Sequence, residues 1–275
     1  MKKTLFFCLI ILIISCNESR NNSQLENKTD TAILNTEISE NEHLVMSVLW
    51  YQKSAEMKAL YYQTFNLAMM MLDEHLASLD PELKPAVICD IDETLLDNSP
   101  FEGKCINENI SYSSETWKNW SDKTSAKALP GAIEFTNYAK HKNVEVFYIS
   151  NRKIDELDST MSNMKKLNFP FIDKEHFLLK TKTSDKTERR NKISKNYEII
   201  LLIGDNLGDF SEIFNERYQN FGFEIVEQNI DEFGNRFIIL PNPMYGNWES
   251  AIYGGTYNLP NEEKNIKRKE NIVSY

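Results

Sequence analysis

The chain has 275 residues, of which 41% are apolar and 26% charged, and its formal net charge is -10, with a pI near 5.1. That balance suits a globular protein with a sizeable core. It excludes a nucleic-acid polymer as partner, because such contacts need a basic surface, so any phosphate bound here must enter a local site.

Lys2 and Lys3 precede an apolar run from Leu5 to Ile14 that is too short to span a bilayer as a stable helix. The run ends Ile13-Ile14-Ser15-Cys16, which resembles the lipobox of bacterial lipoproteins. That resemblance implies a signal peptide over 1–15, a lipid anchor on Cys16, and an exported protein of the cell envelope, at the bacterial outer membrane. An ordinary signal peptide ending in Ser-Cys is the alternative. Residues 16–41 are rich in Asn, Ser, Glu and Thr and are expected to be a disordered tether, since they offer little apolar surface to bury. Only Cys89 and Cys105 remain beyond it, too few for a disulfide scaffold.

A globular region follows over 42–260. From Leu44 to Leu79 the apolar residues Tyr62, Phe65, Met69, Leu72, Leu76 and Leu79 alternate three and four apart, which predicts a helix ended by Pro81 and Pro85. Ala86 to Cys89, Val144 to Ile149 and Ile199 to Ile203 read as buried strands, with Phe237 to Leu240 a weaker fourth. Helical patterns at Ala132 to His141, Glu156 to Leu167 and Thr187 to Lys195 lie between them. This alternation predicts an α/β fold, a doubly wound parallel sheet with helices on both faces and an N-terminal helix. Residues 101–129 interrupt it as a cap-like insertion directly after the first strand, and 261–275 read as a polar tail.

In such folds ligands sit at the carboxyl ends of the strands, which directs attention to Asp90, Ser150 and Asp205. Asp90 and Asp92 stand two apart, so the pleat points both to one side. One carboxylate can attack phosphorus while the other protonates the leaving oxygen and then activates water. Two acids would repel a phosphate dianion, so a cation is required, and Mg2+ prefers carboxylates, substrate oxygens and water. Asp205, in Gly204-Asp205-Asn206-Leu207-Gly208-Asp209, would complete that site, with Asp209 holding bound water or orienting Asp205. Ser150 and Asn151 offer a hydroxyl and amide donors for phosphoryl oxygens, and Lys186 brings a fixed positive charge. Each signal alone is ordinary; four in this order at predicted strand ends are not.

At these residues the chain resembles the haloacid dehalogenase superfamily, and within it the class C acid phosphatases of the lipoprotein e 5'-nucleotidase family. The strings that carry the resemblance are Asp90-Ile-Asp-Glu-Thr-Leu-Leu-Asp-Asn-Ser-Pro100, Leu129-Pro-Gly-Ala132, Phe147-Tyr-Ile-Ser-Asn-Arg152 and Gly204-Asp-Asn-Leu-Gly-Asp-Phe210. The resemblance implies a haloacid dehalogenase fold and a magnesium-dependent phosphatase with one ion per active site. Asp90 would be the nucleophile and Asp92 the general acid and base; Asp90, Asp205 and the main-chain carbonyl of Asp92 would hold the metal. It further implies Ser150 and Lys186 on the phosphate, Trp117 and Tyr245 stacking on a nucleobase, nucleoside 5'-monophosphates as substrates, and a homodimer. Three rival expectations stand beside it: a broad-specificity acid phosphatase or phosphotransferase, a surface lipoprotein that binds without turnover, and a phosphoacceptor receiver domain. The last gives no reason for export or for Asp92.

Overall fold

A computed structural model describes residues 40–218 and 220–275. The expected signal peptide, Cys16 and almost all of the tether lie outside these residues. Among the described residues no helix is long and apolar enough to cross a membrane.

The long N-terminal helical pattern resolves into two helices, α1 (Val45–Lys53) and α2 (Ala55–Ser78). The break is at Ser54, whose backbone is extended and whose hydroxyl accepts from the Met57 amide at 3.0 Å. A serine cap competes with helix continuation in this way. The buried stripe of α2 is Met57, Tyr61, Phe65, Ala68 and Leu72, spaced four, four, three and four apart. It is rotated from the expected one: Tyr62 is 42% exposed while Tyr61 is fully buried. Two particulars beyond apolar periodicity set the rotation. The Tyr61 hydroxyl reaches a backbone carbonyl of the site loop, and Ala68 is small enough for close approach to the sheet.

Seven strands follow: β1 (Pro85–Cys89), β2 (Leu96–Asp97), β3 (Lys127–Ala128), β4 (Glu145–Lys153), β5 (Phe177–Lys180), β6 (Glu198–Gly204) and β7 (Phe237–Ile239). Five of them form one parallel sheet in the order β5-β4-β1-β6-β7. β5 carried no expectation, because Phe-Leu-Leu-Lys is too short to display a period. β1 lies at the centre, with the ends of β4 and β6 on either side of its own. Its residues alternate as the pleat requires. Val87 and Cys89 join a core with Phe65, Leu72 and Phe135, whereas Ala86 and Ile88 join a second core with Phe210 and Phe214.

The first face is covered by α2, α5 (Ala132–His141) and α6 (Leu157–Lys166), and the second by α7 (Thr187–Ile193) and α8 (Phe223–Gln228). Gly131 opens α5 with φ +86°, and a Cβ there would stand 3.0 Å from the Phe65 side chain. That position therefore needs glycine for both conformation and clearance.

The insertion after β1 is helical, with α3 (Ser99–Glu108) and α4 (Ser114–Ser121), and the antiparallel pair of β2 with β3 closes its base. Ser113 begins α4 with a reciprocal capping box to Thr116. The segment read as a polar tail contains α10 (Asn261–Glu270), following the short α9 (Asn247–Ile252). Arg268 of α10 pairs with Glu249 of α9 at 3.2 Å and donates toward His43 at 2.9 Å. Among the described residues Cys89 and Cys105 are unpaired, and both are buried.

Candidate active site

The backbone of β1 passes directly into the site. The Asp90 amide still donates to Ile203 of β6 at 2.9 Å, so this first carboxylate is registered against the neighbouring strand. The Asp90 carboxylate accepts from Lys186 Nζ, which also lies 2.7 Å from Asp209. Carboxylate oxygens of Asp90, Asp205 and Asp209 all lie within 4.8 Å of one another. Burial pushes the Asp90 carboxyl upward; Lys186 pulls it back, and Asp209 and Asp92 push it up again. Asp205 is raised well above the usual carboxylate range by burial, then by Asp209 and Asp90. Burial alone would lower Lys186, but the Asp209 and Asp90 carboxylates beside it leave it raised.

Burial, and the repulsion among three carboxylates that share one lysine, favour the protonated forms of Asp90 and Asp205. The donor set fits a hard divalent ion: Mg2+ binds oxygen at about 2.0–2.1 Å, so its ligands stand roughly 3–4 Å apart, and the observed spacing needs only a small closure. Asp90 and Asp205 are therefore close enough to serve one ion. Asp209 is nearer than its expected supporting place suggested. Its Oδ1 faces Lys186 and its Oδ2 accepts from the Asn206 amide at 3.0 Å. This approach depends on Gly204, where a Cβ would fall 2.3 Å from Asp209 Oδ2. Asp205 is oriented by Asn242 Nδ2 at 2.9 Å and the Thr94 hydroxyl at 3.3 Å.

The Asp92 side chain is held from another side. Arg152 Nη2 and Nε donate to its Oδ1 at 2.8 and 3.0 Å, Asn98 Nδ2 donates at 2.8 Å, and the Ser150 hydroxyl donates to Oδ2 at 3.2 Å. β4 runs on to Lys153 with a register shift after Ser150, so Ser150 does not end its strand as the apolar run suggested. Polar residues continue the ladder, and alternation sends Ser150 and Arg152 to Asp92 while Asn151 turns away from it to the exposed cavity wall. Ser150 is fully buried, with its hydroxyl engaged by Asp92 and by the Arg152 amide at 3.0 Å. Arg189 steadies this stretch by donating to the Ser150 carbonyl at 2.7 Å and to Asn151 Oδ1 at 2.8 Å.

Sequence reasoning gave no role to Glu93, Asn98, Arg152, Arg189 or Asn242. Glu93 lies at φ +56°, a left-handed conformation that disfavours most side chains and costs about 1–3 kcal/mol. Its surroundings hold it there. Its amide donates to Leu96 at 3.0 Å, and its carbonyl accepts from Tyr61, whose hydroxyl meets that of Tyr51 at 2.5 Å. The Glu93 carboxyl accepts from the Asn98 amide at 2.9 Å and from the Tyr245 hydroxyl. Burial raises this carboxyl well above its ordinary range, and Asp92 and Asp205 add to the rise. The only advance signal was position, one residue past Asp92. Its tyrosine partners come from α1, α2 and the bend before Asn247, all far away in the sequence.

One cavity of about 880 Å³ is lined by Asp90, Asp92, Asn151, Lys186, Asp205, Asp209, Trp117 and Tyr245. Among the described residues these are all the expected site residues except Ser150. Trp117 is 9% exposed and packs edge-on against Phe101 at 5.1 Å, with the Arg152 guanidinium 5.7 Å from its ring centre. Trp120 instead donates to Asn98 Oδ1 at 2.8 Å. Both tryptophans of α4 thus touch a side chain that holds Asp92. Tyr112 and Tyr257 add aromatic wall, and Lys264 and Arg268 of α10 add charge at the far side.

Residues 8–248 match the family model for the HAD superfamily, subfamily IIIB (Acid phosphatase). Among solved structures, the class C acid phosphatase from Bacillus anthracis superposes with a TM-score of 0.83 at 39% identity, covering 86% of this chain and 100% of that one. The class C acid phosphatase of the same organism with tungstate bound gives a TM-score of 0.82 at 40% identity over 86% of this chain and 98% of that one. Among curated proteins, a stem 31 kDa glycoprotein of Glycine max is 26% identical over 161 residues, 56% of this chain and 57% of the relative. A stem 28 kDa glycoprotein from the same plant is 28% identical over 140 residues, 48% and 54% of the two chains. The chain thus spans little more than half the length of these curated relatives.

Proposed function

The chain belongs to the acid phosphatases of HAD superfamily subfamily IIIB, and from that premise we propose that it hydrolyses phosphate monoesters in two displacements at Asp90. The observation that carries this reading is the convergence of Asp90, Asp205, Asp209 and Lys186 at adjacent strand ends in the cavity that Asp92 also lines. An Asp90 oxygen attacks phosphorus and the ester P–O bond breaks. The departing oxygen takes a proton from Asp92, leaving an aspartyl phosphate. Asp92 then accepts a proton from water, whose oxygen attacks the same phosphorus, releasing phosphate and restoring the Asp90 carboxylate.

Asp90, Asp205 and the Asp92 main-chain carbonyl are the ligands we assign to one Mg2+, with Asp209 beside them. When bound, the ion offsets phosphoryl charge and draws the dianion to the carboxylates. Lys186 holds a fixed positive charge against Asp90, and Ser150 with Arg152 orients Asp92. Asn151 is left facing the phosphoryl oxygens. The preferred substrates in this reading are nucleoside 5'-monophosphates, supported by the aromatic side chains of Trp117 and Tyr245 on the cavity wall. Stacking of that kind tolerates any base. Export on a lipid anchor at Cys16, into the cell envelope, and assembly as a homodimer belong to the same proposal.

The test is hydrolysis of nucleoside 5'-monophosphates, sugar phosphates and p-nitrophenyl phosphate at acidic pH, with Mg2+ and after chelation. Activity that needs Mg2+ and vanishes in Asp90→Asn supports the reading; an Asp90→Asn rate equal to wild type overturns it. A nucleotide preference that persists in Trp117→Ala and Tyr245→Ala removes the stacking assignment alone.

A further inference from the structure

Arg217 is a buried cation that makes no ion pair among the described residues, with Asp209 and Asp205 acting on it only from farther away. It is 6% exposed, and among the described residues no carboxylate lies within ion-pair distance of its guanidinium. Nη2 donates to Asn206 Oδ1 at 2.8 Å, while Nε is buried without any hydrogen-bond partner. Arginine cannot shed its charge, and a guanidinium taken from water is costly unless its donors find acceptors. Arg190, by contrast, reaches Glu212 at 3.2 Å, and Arg152 reaches Asp92 at 2.8 Å.

Beside Arg217 lies a second cavity of about 240 Å³. Asn215, Tyr218, Asn247 and Ser250 supply its polar wall, no acidic side chain among the described residues lines it, and Asn215 and Asn247 also line the catalytic cavity. A guanidinium on the cavity wall without an ion-paired carboxylate, neutral polar neighbours and room for a tetrahedral group together suit a bound oxyanion. We propose that Arg217 and these side chains form a phosphate subsite adjoining the catalytic cavity. Its occupant carries a phosphate group, supplied either as the second phosphate of a bisphosphorylated substrate or as free inorganic phosphate.

Calorimetric titration of inorganic phosphate into the magnesium-loaded full chain counts the sites without requiring turnover, so it is independent of the proposed hydrolysis. Arg217→Met is expected to bind one phosphate fewer per chain than wild type. Arg217→Lys keeps the charge but lacks the fork, and should weaken that site about tenfold; it serves as the test should the methionine variant not fold. The ratio of kcat/KM for fructose 1,6-bisphosphate over fructose 6-phosphate separates the two sources. A ratio that drops about tenfold in the variants assigns the site to a second substrate phosphate. An unchanged ratio with a lost or weakened calorimetric site assigns it to free phosphate. Unchanged stoichiometry, affinity and ratio overturn the proposal.

Discussion

Arg152 illustrates how a residue outside the reacting set governs one inside it. Its fork grips Asp92 while its guanidinium lies near the Trp117 ring, so the acid and base of the proposed reaction is oriented by the same side chain that touches the insertion. Arg152→Met should lower kcat/KM by about 10–100-fold for alkyl phosphates, whose leaving oxygen must be protonated. p-Nitrophenyl phosphate, a good leaving group, should lose much less. Equal losses on both substrates would show that Arg152 does not act through Asp92. Glu102 makes a second prediction. Burial, with Glu249 adding to it, raises its carboxyl to about 7 from 4.5. The folded state then holds a proton that the unfolded state has released, so this group's contribution to stability is greatest below pH 4.5 and falls as pH rises toward about 7. Glu102→Gln should therefore flatten urea-measured stability between pH 5 and 8 relative to wild type, by up to about 3 kcal/mol; an unchanged slope would contradict it. At this scale Asp90 and Asp205 were legible because each follows an apolar run, Asp92 and Asp209 because of their spacing from those two, and Lys186 because of its place ahead of a helix. Glu93, Asn242 and Arg152 were not, since their roles come from Tyr61, Asp205 and Asp92 brought near only by folding.

Among the elements, α2 carries the clearest lesson. Its existence follows from periodicity, but its orientation does not: an apolar stripe through Tyr62 and one through Tyr61 are equally regular on paper. The structure chooses the face that sends a phenol to the Glu93 carbonyl and sets Phe65 against Gly131. Phe65→Ala should cost about 3–5 kcal/mol in chemical denaturation, and Ser54→Ala about 1 kcal/mol as a lost cap. A Phe65→Ala cost below 1 kcal/mol would mean that α2 does not seal this core. Gly204 is the corresponding test in a strand. Gly204→Ala places a methyl where the Asp209 carboxylate sits, and should weaken Mg2+ affinity measured by calorimetry by at least about tenfold. The short β5 was illegible because four residues show neither periodicity, and α10 because its helix has almost no apolar face to announce it.

At the level of the molecule, strand order does what no single motif can. With β1 central and β4 and β6 beside it, segments separated by more than a hundred positions place Asp90, Asp92 and Asp205 around one cavity. The doubly wound parallel sheet was legible from alternating strands and helices, and the likeness to class C acid phosphatases rested on strings at the strand ends. The two-sided tyrosine support from α1 and α2 was beyond reach, because it depends on how the N-terminal helices dock. A buried acidic cluster that opposes folding should be relieved by a cation. Mg2+ at about a hundred times its Kd should stabilise the folded protein by about 2.7 kcal/mol, and Asp205→Asn should abolish most of that gain.

The covalent step itself is open to direct observation. Borohydride reduces an acyl phosphate to the alcohol, so quenching the enzyme during turnover with Mg2+ and substrate should convert residue 90 to homoserine, identifiable by peptide mass spectrometry. The account requires that conversion at Asp90 and nowhere else, and its absence without substrate. Modification at a different carboxylate, or at none while hydrolysis proceeds, would contradict it.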